Sequence, residues 1–127
     1  MNRIVITLVF LLLCISFISK AEEGPKSQLG KIMANEFSHA LDLYFVDCHE
    51  FPSDLQQLVM KPASCKFWGP DPYLKRIVKD PWGNPWRYRR LDSVHYELMS
   101  LGADGKEGGV GDNLDLLLIG KAPLLNK

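Results

Sequence analysis

The sequence has no excess of charge of either sign, no clustered cysteines and no apolar run of full membrane-spanning length. Its 15 Lys and Arg balance 15 Asp and Glu over 127 residues. Without a basic excess or a basic run, the electrostatic footprint of a nucleic-acid-binding protein is missing. The three cysteines carry no Cys-x-x-Cys spacing, and no His-x-x-x-His accompanies them, which removes the clustered ligands of a zinc site. No internal repeat or linker-like tract divides a chain that has the length of one small domain.

What is present begins with a targeting-like segment. Met1, Asn2 and Arg3 precede an almost unbroken apolar run from Ile4 to Ile18, and Ser19-Lys20-Ala21 then leads into Glu22-Glu23. A basic start, an apolar stretch and a small-x-small site describe an export signal cleaved after Ala21. The sequence thus predicts a signal segment over 1–21 and a mature domain over 22–127. A spanning helix needs roughly 20 apolar residues, so a retained membrane anchor is the second reading. Leu11-Leu12-Leu13-Cys14 has the outline of a lipoprotein box, but Leu13 is too large for the position before the cysteine. Cleavage would remove Arg3 and Lys20, leaving 13 basic residues against 15 acidic. The expected location is periplasmic or secreted, or anchored to the inner membrane and facing the periplasm.

The cysteines agree with export. Cys14 leaves with the signal, and Cys48 and Cys65 stay as a lone pair. Their natural state in an oxidising compartment is a disulfide, worth roughly 3 kcal/mol in the chain-entropy model. So small a domain often needs such a supplement to its packing.

From Gln28 to Val46, apolar residues at Leu29, Ile32, Met33, Phe37, Ala40, Leu41, Tyr44 and Phe45 recur at three- and four-residue spacings, predicting one amphipathic helix. His39 falls among polar neighbours and is expected in solvent. Ser53, with Gln56 three residues on, reads as a capping box opening a short helix through about Met60. Pro62, Pro70 and Pro72 punctuate an irregular connection. Asp80-Pro81-Trp82-Gly83-Asn84-Pro85 is dense in turn formers, and Trp86-Arg87-Tyr88-Arg89 alternates as a strand does. A turn around Leu91-Asp92-Ser93 leads to a second strand, Val94 to Met99, and Asp115 to Ile119 supplies a third. Helix followed by a small antiparallel sheet is an α+β arrangement.

Chemistry concentrates in one loop. Leu101 to Asp115 holds five glycines and four acids with no apolar periodicity. Calcium prefers six to eight oxygen ligands, and glycines let a chain curl so that carbonyls converge. Asp104, Asp112 and Asp115 offer carboxylates, Asn113 an amide oxygen, and Leu101 or Gly109 a carbonyl. The loop lacks His and Cys, which favours oxygen chemistry over zinc or copper. It does not follow the EF-hand order, and Gly108-Gly109-Val110-Gly111 is one copy of a pattern that must stack. Its acids and the residue after Lys106 disfavour a phosphate cradle. These residues alone leave a calcium site and a solvated turn both open.

Two long ordered motifs bring in a resemblance. Asp80-Pro81-Trp82-Gly83-Asn84-Pro85-Trp86-Arg87-Tyr88 and Tyr96-Glu97-Leu98-Met99-Ser100-Leu101-Gly102-Ala103-Asp104-Gly105-Lys106-Glu107-Gly108-Gly109 resemble the C-terminal domain of the major pseudopilins of bacterial type II secretion. Ala40-Leu41-Asp42-Leu43-Tyr44, Phe51-Pro52, Leu58-Val59-Met60-Lys61-Pro62 and Tyr73-Leu74-Lys75-Arg76 extend the likeness, which runs from roughly Leu29 to Asp115. It implies a long N-terminal helix packed on a three-stranded antiparallel sheet, with calcium bound in the loop before the last strand. The implied ligands are Leu101 through its carbonyl, Asp104, Asp112 and Asp115, and the Gly109 carbonyl joins them as a candidate from the loop's own composition. The N-terminus departs from the family. Pilin-like precursors carry a short basic leader ending in glycine and then Phe-Thr-Leu-Ile-Glu, and Arg3-Ile4-Val5-Ile6-Thr7-Leu8-Val9 has neither the glycine nor the glutamate.

The expected function is that of a calcium-stabilised pseudopilin-like protein acting in secretion across a Gram-negative envelope. Its partners would be pseudopilus or secretion-system proteins, self-assembly included, with membrane contact only through a retained N-terminal segment. The alternative is a soluble periplasmic or secreted module that reuses the fold to bind a peptide or glycan, through Trp68, Trp82, Trp86 and Tyr88. In so small a domain these aromatics more often pack. An enzyme built on His49, His95 and the loop carboxylates would need a positioned partner and a pocket, and the sequence declares neither.

Overall fold

A computed structural model describes residues 24–124. The expected signal or anchor segment and its cleavage site lie outside the described residues. Among the described residues, no helix is long and apolar enough to cross a membrane.

Helix α1 runs from Pro25 to Cys48, longer at both ends than the periodicity marks. Gly24 is its extended N-cap and Pro25 takes the first helical position, where a missing N–H costs nothing. The helix stops at His49, which adopts a left-handed conformation (φ 61°) and donates its N–H to the Phe45 carbonyl at 2.8 Å. The buried stripe is Gly30, Ala34, Phe37, Ala40, Leu41, Tyr44 and Phe45. Leu29 and Ile32, expected in the core, are instead 48% and 57% exposed. The reason is close approach: a Cβ at Gly30 would collide with Leu116, so the helix meets the sheet on its small-residue face. That rotation turns Leu29 and Ile32 outward.

The predicted capping box is also corrected. Asp54, not Ser53, is the N-cap, accepting the Gln56 N–H at 2.7 Å, and the element is a 3-10 helix over Leu55–Leu58. Gln57 rather than Gln56 reaches back, its Oε1 accepting the Ser53 N–H at 3.2 Å and the Tyr44 hydroxyl at 3.0 Å. The tertiary partner on α1 thus selects the residue that closes the cap.

Three antiparallel strands follow: β1 (Arg87–Arg90), β2 (His95–Ser100) and β3 (Leu116–Lys121), ordered β1-β2-β3. Each begins one residue later than the sequence reading places it. Trp86 is buried before the ladder opens with Arg87 opposite Met99. Asp115 is held by the loop, and β3 starts with Leu116 opposite Ser100. The second strand alternates half-buried and buried residues, sending Tyr96, Leu98 and Ser100 inward.

The core is rich in aromatic residues. Phe51 stands between Phe45 and Tyr96 with ring centroids 4.9 and 4.8 Å away, and Phe37 packs on Trp86 at 5.6 Å. Each fully buried ring of this kind contributes on the order of 2–3 kcal/mol. Cys48 and Cys65 form the expected disulfide, with Cα atoms 5.1 Å apart, tying the end of α1 to the proline-rich connection. Trp68 donates its indole N–H to the Gln57 carbonyl at 2.7 Å and stacks edge-on to Tyr73 in the same region.

Candidate functional site

The loop between β2 and β3 curls back on itself through its own backbone. Ala103 N–H donates to the Asp112 carbonyl at 2.8 Å, joining its two arms. A short 3-10 turn, Gly111–Asn113, sits near the far end. Two glycines make the curl possible. Gly102 (φ 65°) lies against the 112–113 backbone, where an added Cβ would be 2.8 Å from the Asp112 carbonyl oxygen. Gly109 (φ 96°) lies equally close to Asn113, whose carbonyl oxygen would be 2.5 Å from a Cβ there. Any L-residue at either position would meet both backbone strain and a collision.

The five candidate calcium ligands are placed as follows. Leu101 is buried at the loop's root, and Gly109 is exposed on its outer arm. Asp104 is exposed and accepts the Lys106 N–H at 3.1 Å. Asp115 closes the loop by accepting the Gly108 N–H on Oδ2 at 2.8 Å. Asp112 turns toward the start of α1, its Oδ1 lying 2.9 Å from where a Cβ on Gly24 would stand. Asp112 and Asp115 both line a groove of about 870 Å3 between α1 and β3, with Lys31, Leu116 and Leu118, whereas Asp104 is outside it. Among the described residues, no three His, Cys, Asp or Glu side chains converge in a group able to hold a metal ion.

One atom in the loop fits a cation. Asp115 Oδ1 is buried and has no hydrogen-bond partner, a state it shares, among the buried side-chain polar atoms of the described residues, with the indole nitrogens of Trp82 and Trp86. For those two, the unmatched group is a neutral N–H. For Asp115 it is a carboxylate oxygen, and an unpaired buried acceptor of that kind is costly. An oxygen-seeking cation that also takes backbone carbonyls is chemically compatible with one fixed carboxylate and a glycine-curled chain.

Beneath the loop lies a hydrogen-bond network whose acid and amide stand among the turn formers of residues 80–85. Asp80 is 5% exposed, and its Oδ1 accepts the N–H groups of Trp82 at 3.1 Å and Asn84 at 2.7 Å. Its Oδ2 accepts the hydroxyl of fully buried Ser100 at 2.6 Å. Ser100 Oγ in turn accepts the Gly102 N–H at 3.3 Å, and the Asn84 side-chain amide donates to the Gly102 carbonyl at 2.9 Å. The available signal was a polar residue at an inward-facing strand position, Ser100, opposite an acid in a turn.

The other candidate chemistries disperse. His49 is exposed at the helix end, and His95 contacts Asp92 at 2.9 Å in the β1–β2 hairpin. Trp68 and Trp86 are core residues, and Tyr88 donates its hydroxyl to the Pro52 carbonyl at 2.8 Å. Trp82, the remaining member of the aromatic set, is half-buried in the turn before β1.

Comparison with known proteins places this arrangement. A family described as type II secretion system (T2SS), protein G matches residues 17–118. The type II secretion system core protein G of Pseudomonas aeruginosa is 44% identical over 84 residues, 61% of this chain, and the match spans 59% of that relative's length. That of Vibrio cholerae is 32% identical over 90% of this chain and 85% of its own. The crystal structure of the major pseudopilin of enterohaemorrhagic Escherichia coli superposes with a TM-score of 0.60 at 23% identity, covering 72% of this chain and 84% of that one. The helix on a three-stranded antiparallel sheet is thus a pseudopilin fold.

Proposed function

This chain belongs to the type II secretion system protein G family, and we propose that it serves as a calcium-stabilised pseudopilin-like protein on the periplasmic side of a bacterial envelope. Its work is assembly rather than catalysis: contacts with pseudopilus or related secretion-system subunits, further copies of itself among them. The observation that carries the reading is the family match over residues 17–118, which takes in α1, both β-hairpin strands, the glycine-curled loop and the start of β3.

In the calcium part of the reading, Asp115 supplies the fixed carboxylate. Asp104, Asp112 and the carbonyls of Leu101 and Gly109 are the remaining candidates on the same loop. The ion's contribution is charge: it would neutralise acids that otherwise repel one another and give Asp115 Oδ1 a partner. Because binding acts on the folded state, the gain appears as stability.

Deleting the gene and following export of type II secretion substrates tests the role. Loss of secreted substrate that the intact chain restores supports it, and undiminished secretion overturns it. A melting temperature indifferent to calcium and chelator removes the calcium part alone.

A further inference from the structure

We infer that Asn84 and Asp80, in the turn before β1, are positioning residues for the ion loop, setting its curvature from beneath without touching the ion. The inference rests on the calcium reading above.

The geometry singles out Gly102. It is the buried pivot at which the loop leaves β2, and both of its backbone polar groups are gripped by one turn. Its N–H is held through Ser100 Oγ, itself bonded to Asp80 Oδ2 at 2.6 Å. Its carbonyl is held by the Asn84 amide at 2.9 Å. The same amide lies under Gly105, where a Cβ would meet its atoms at 3.7–3.8 Å. Asn84 therefore lies beneath the 102–105 turn that presents Asp104, hydrogen-bonded to it at Gly102 and facing the side of Gly105 where a Cβ would stand.

Asn84 is itself held firmly. Its N–H donates to Asp80 Oδ1 at 2.7 Å, and its carbonyl accepts the Asp80 N–H at 2.8 Å. A closed turn around a buried carboxylate thus carries one side chain up into the loop. Groups that orient ligands from a second layer commonly change metal affinity by about 10–100-fold when removed. This turn is built as such a layer, since its contacts end on the backbone that carries Leu101 and Asp104.

The test is calorimetric titration of calcium into the purified protein and into Asn84→Ala, with melting temperatures in calcium and in chelator. The expected result is calcium affinity weakened by about tenfold or more in the variant. The melting temperature in chelator should change far less than the calcium-dependent increment. If Asn84→Ala does not fold, the isosteric Asn84→Asp serves, placing a carboxylate oxygen against the Gly102 carbonyl. Wild-type affinity in the folded variant overturns the inference while leaving the calcium reading intact. Equal losses of melting temperature in calcium and chelator also overturn it, because they describe a purely structural residue. Failure of the wild-type protein to bind calcium overturns both.

Discussion

Tyr96 on β2 pairs with Gly120 on β3, and its ring occupies the space where a Cβ on Gly120 would stand. The ring crosses the neighbouring strand to reach α1, where its hydroxyl donates to Ser38 Oγ at 2.9 Å. Gly120 is therefore required by a side chain on another strand, since its own backbone has ordinary strand geometry. Gly120→Val should destabilise the protein by about 1–3 kcal/mol, the usual cost of overpacking a filled site. Urea denaturation checks this. Tyr96→Phe, which keeps the ring and loses the Ser38 bond, should cost about 1 kcal/mol.

Much of this fold was legible in the residues. The spacing from Met33 to Phe45 marks α1, and the turn formers around Pro81 and Asp92 bracket the strands. What escaped depended on neighbours distant in sequence. The rotation that exposes Leu29 follows from Leu116 pressing on Gly30, and the shift of the cap to Asp54 follows from Tyr44 claiming Gln57. At the site, the glycines and acids of the loop were visible as composition. The grip on Gly102 was not, because Ser100 and Gly102 are distant in sequence from the Asp80–Asn84 turn and meet it only when β1 and β2 pair.

The disulfide links the last residue of α1 to a buried cysteine in a connection with little regular structure. Restraint there acts mainly on the unfolded chain, so replacing Cys48 and Cys65 together by serine should cost roughly 3 kcal/mol. Denaturant midpoints of the two proteins measure it. Thiol titration of denatured, unreduced protein should find neither Cys48 nor Cys65 free.

Alkaline pH should weaken the fold through its tyrosines. Burial is the main cause that pushes the Tyr73 hydroxyl up to about 12 from an ordinary value of 10, reinforced by its bond to Asp47 Oδ2 at 2.6 Å. Burial likewise raises Tyr88 and Tyr96. The unfolded chain loses these protons first, so it binds fewer protons than the folded one above pH 10. Stability is then fully present below about pH 10 and falls as pH rises toward 12. Tyr73→Phe should flatten this decline, as read by denaturant midpoints across that range.

Asp115 should be worth different things to the fold with and without the ion. Asp112 and Asp115 line one groove, and Asp115 Oδ1 is buried without a partner. In chelator their charges oppose one another, so Asp115→Asn, which keeps the shape and removes a charge, should melt at or above the wild-type temperature. In calcium the order should reverse, because the variant forfeits the ion's contribution, about 2.7 kcal/mol at a concentration 100 times the dissociation constant. Asp104→Ala should lose the calcium increment as well, but without the gain in chelator, since its carboxylate is exposed and bonded to the Lys106 N–H. Scanning calorimetry of the three proteins in both buffers separates these outcomes. A parallel drop of Asp115→Asn in both would mean that its bond to Gly108, rather than its charge, is what the fold uses.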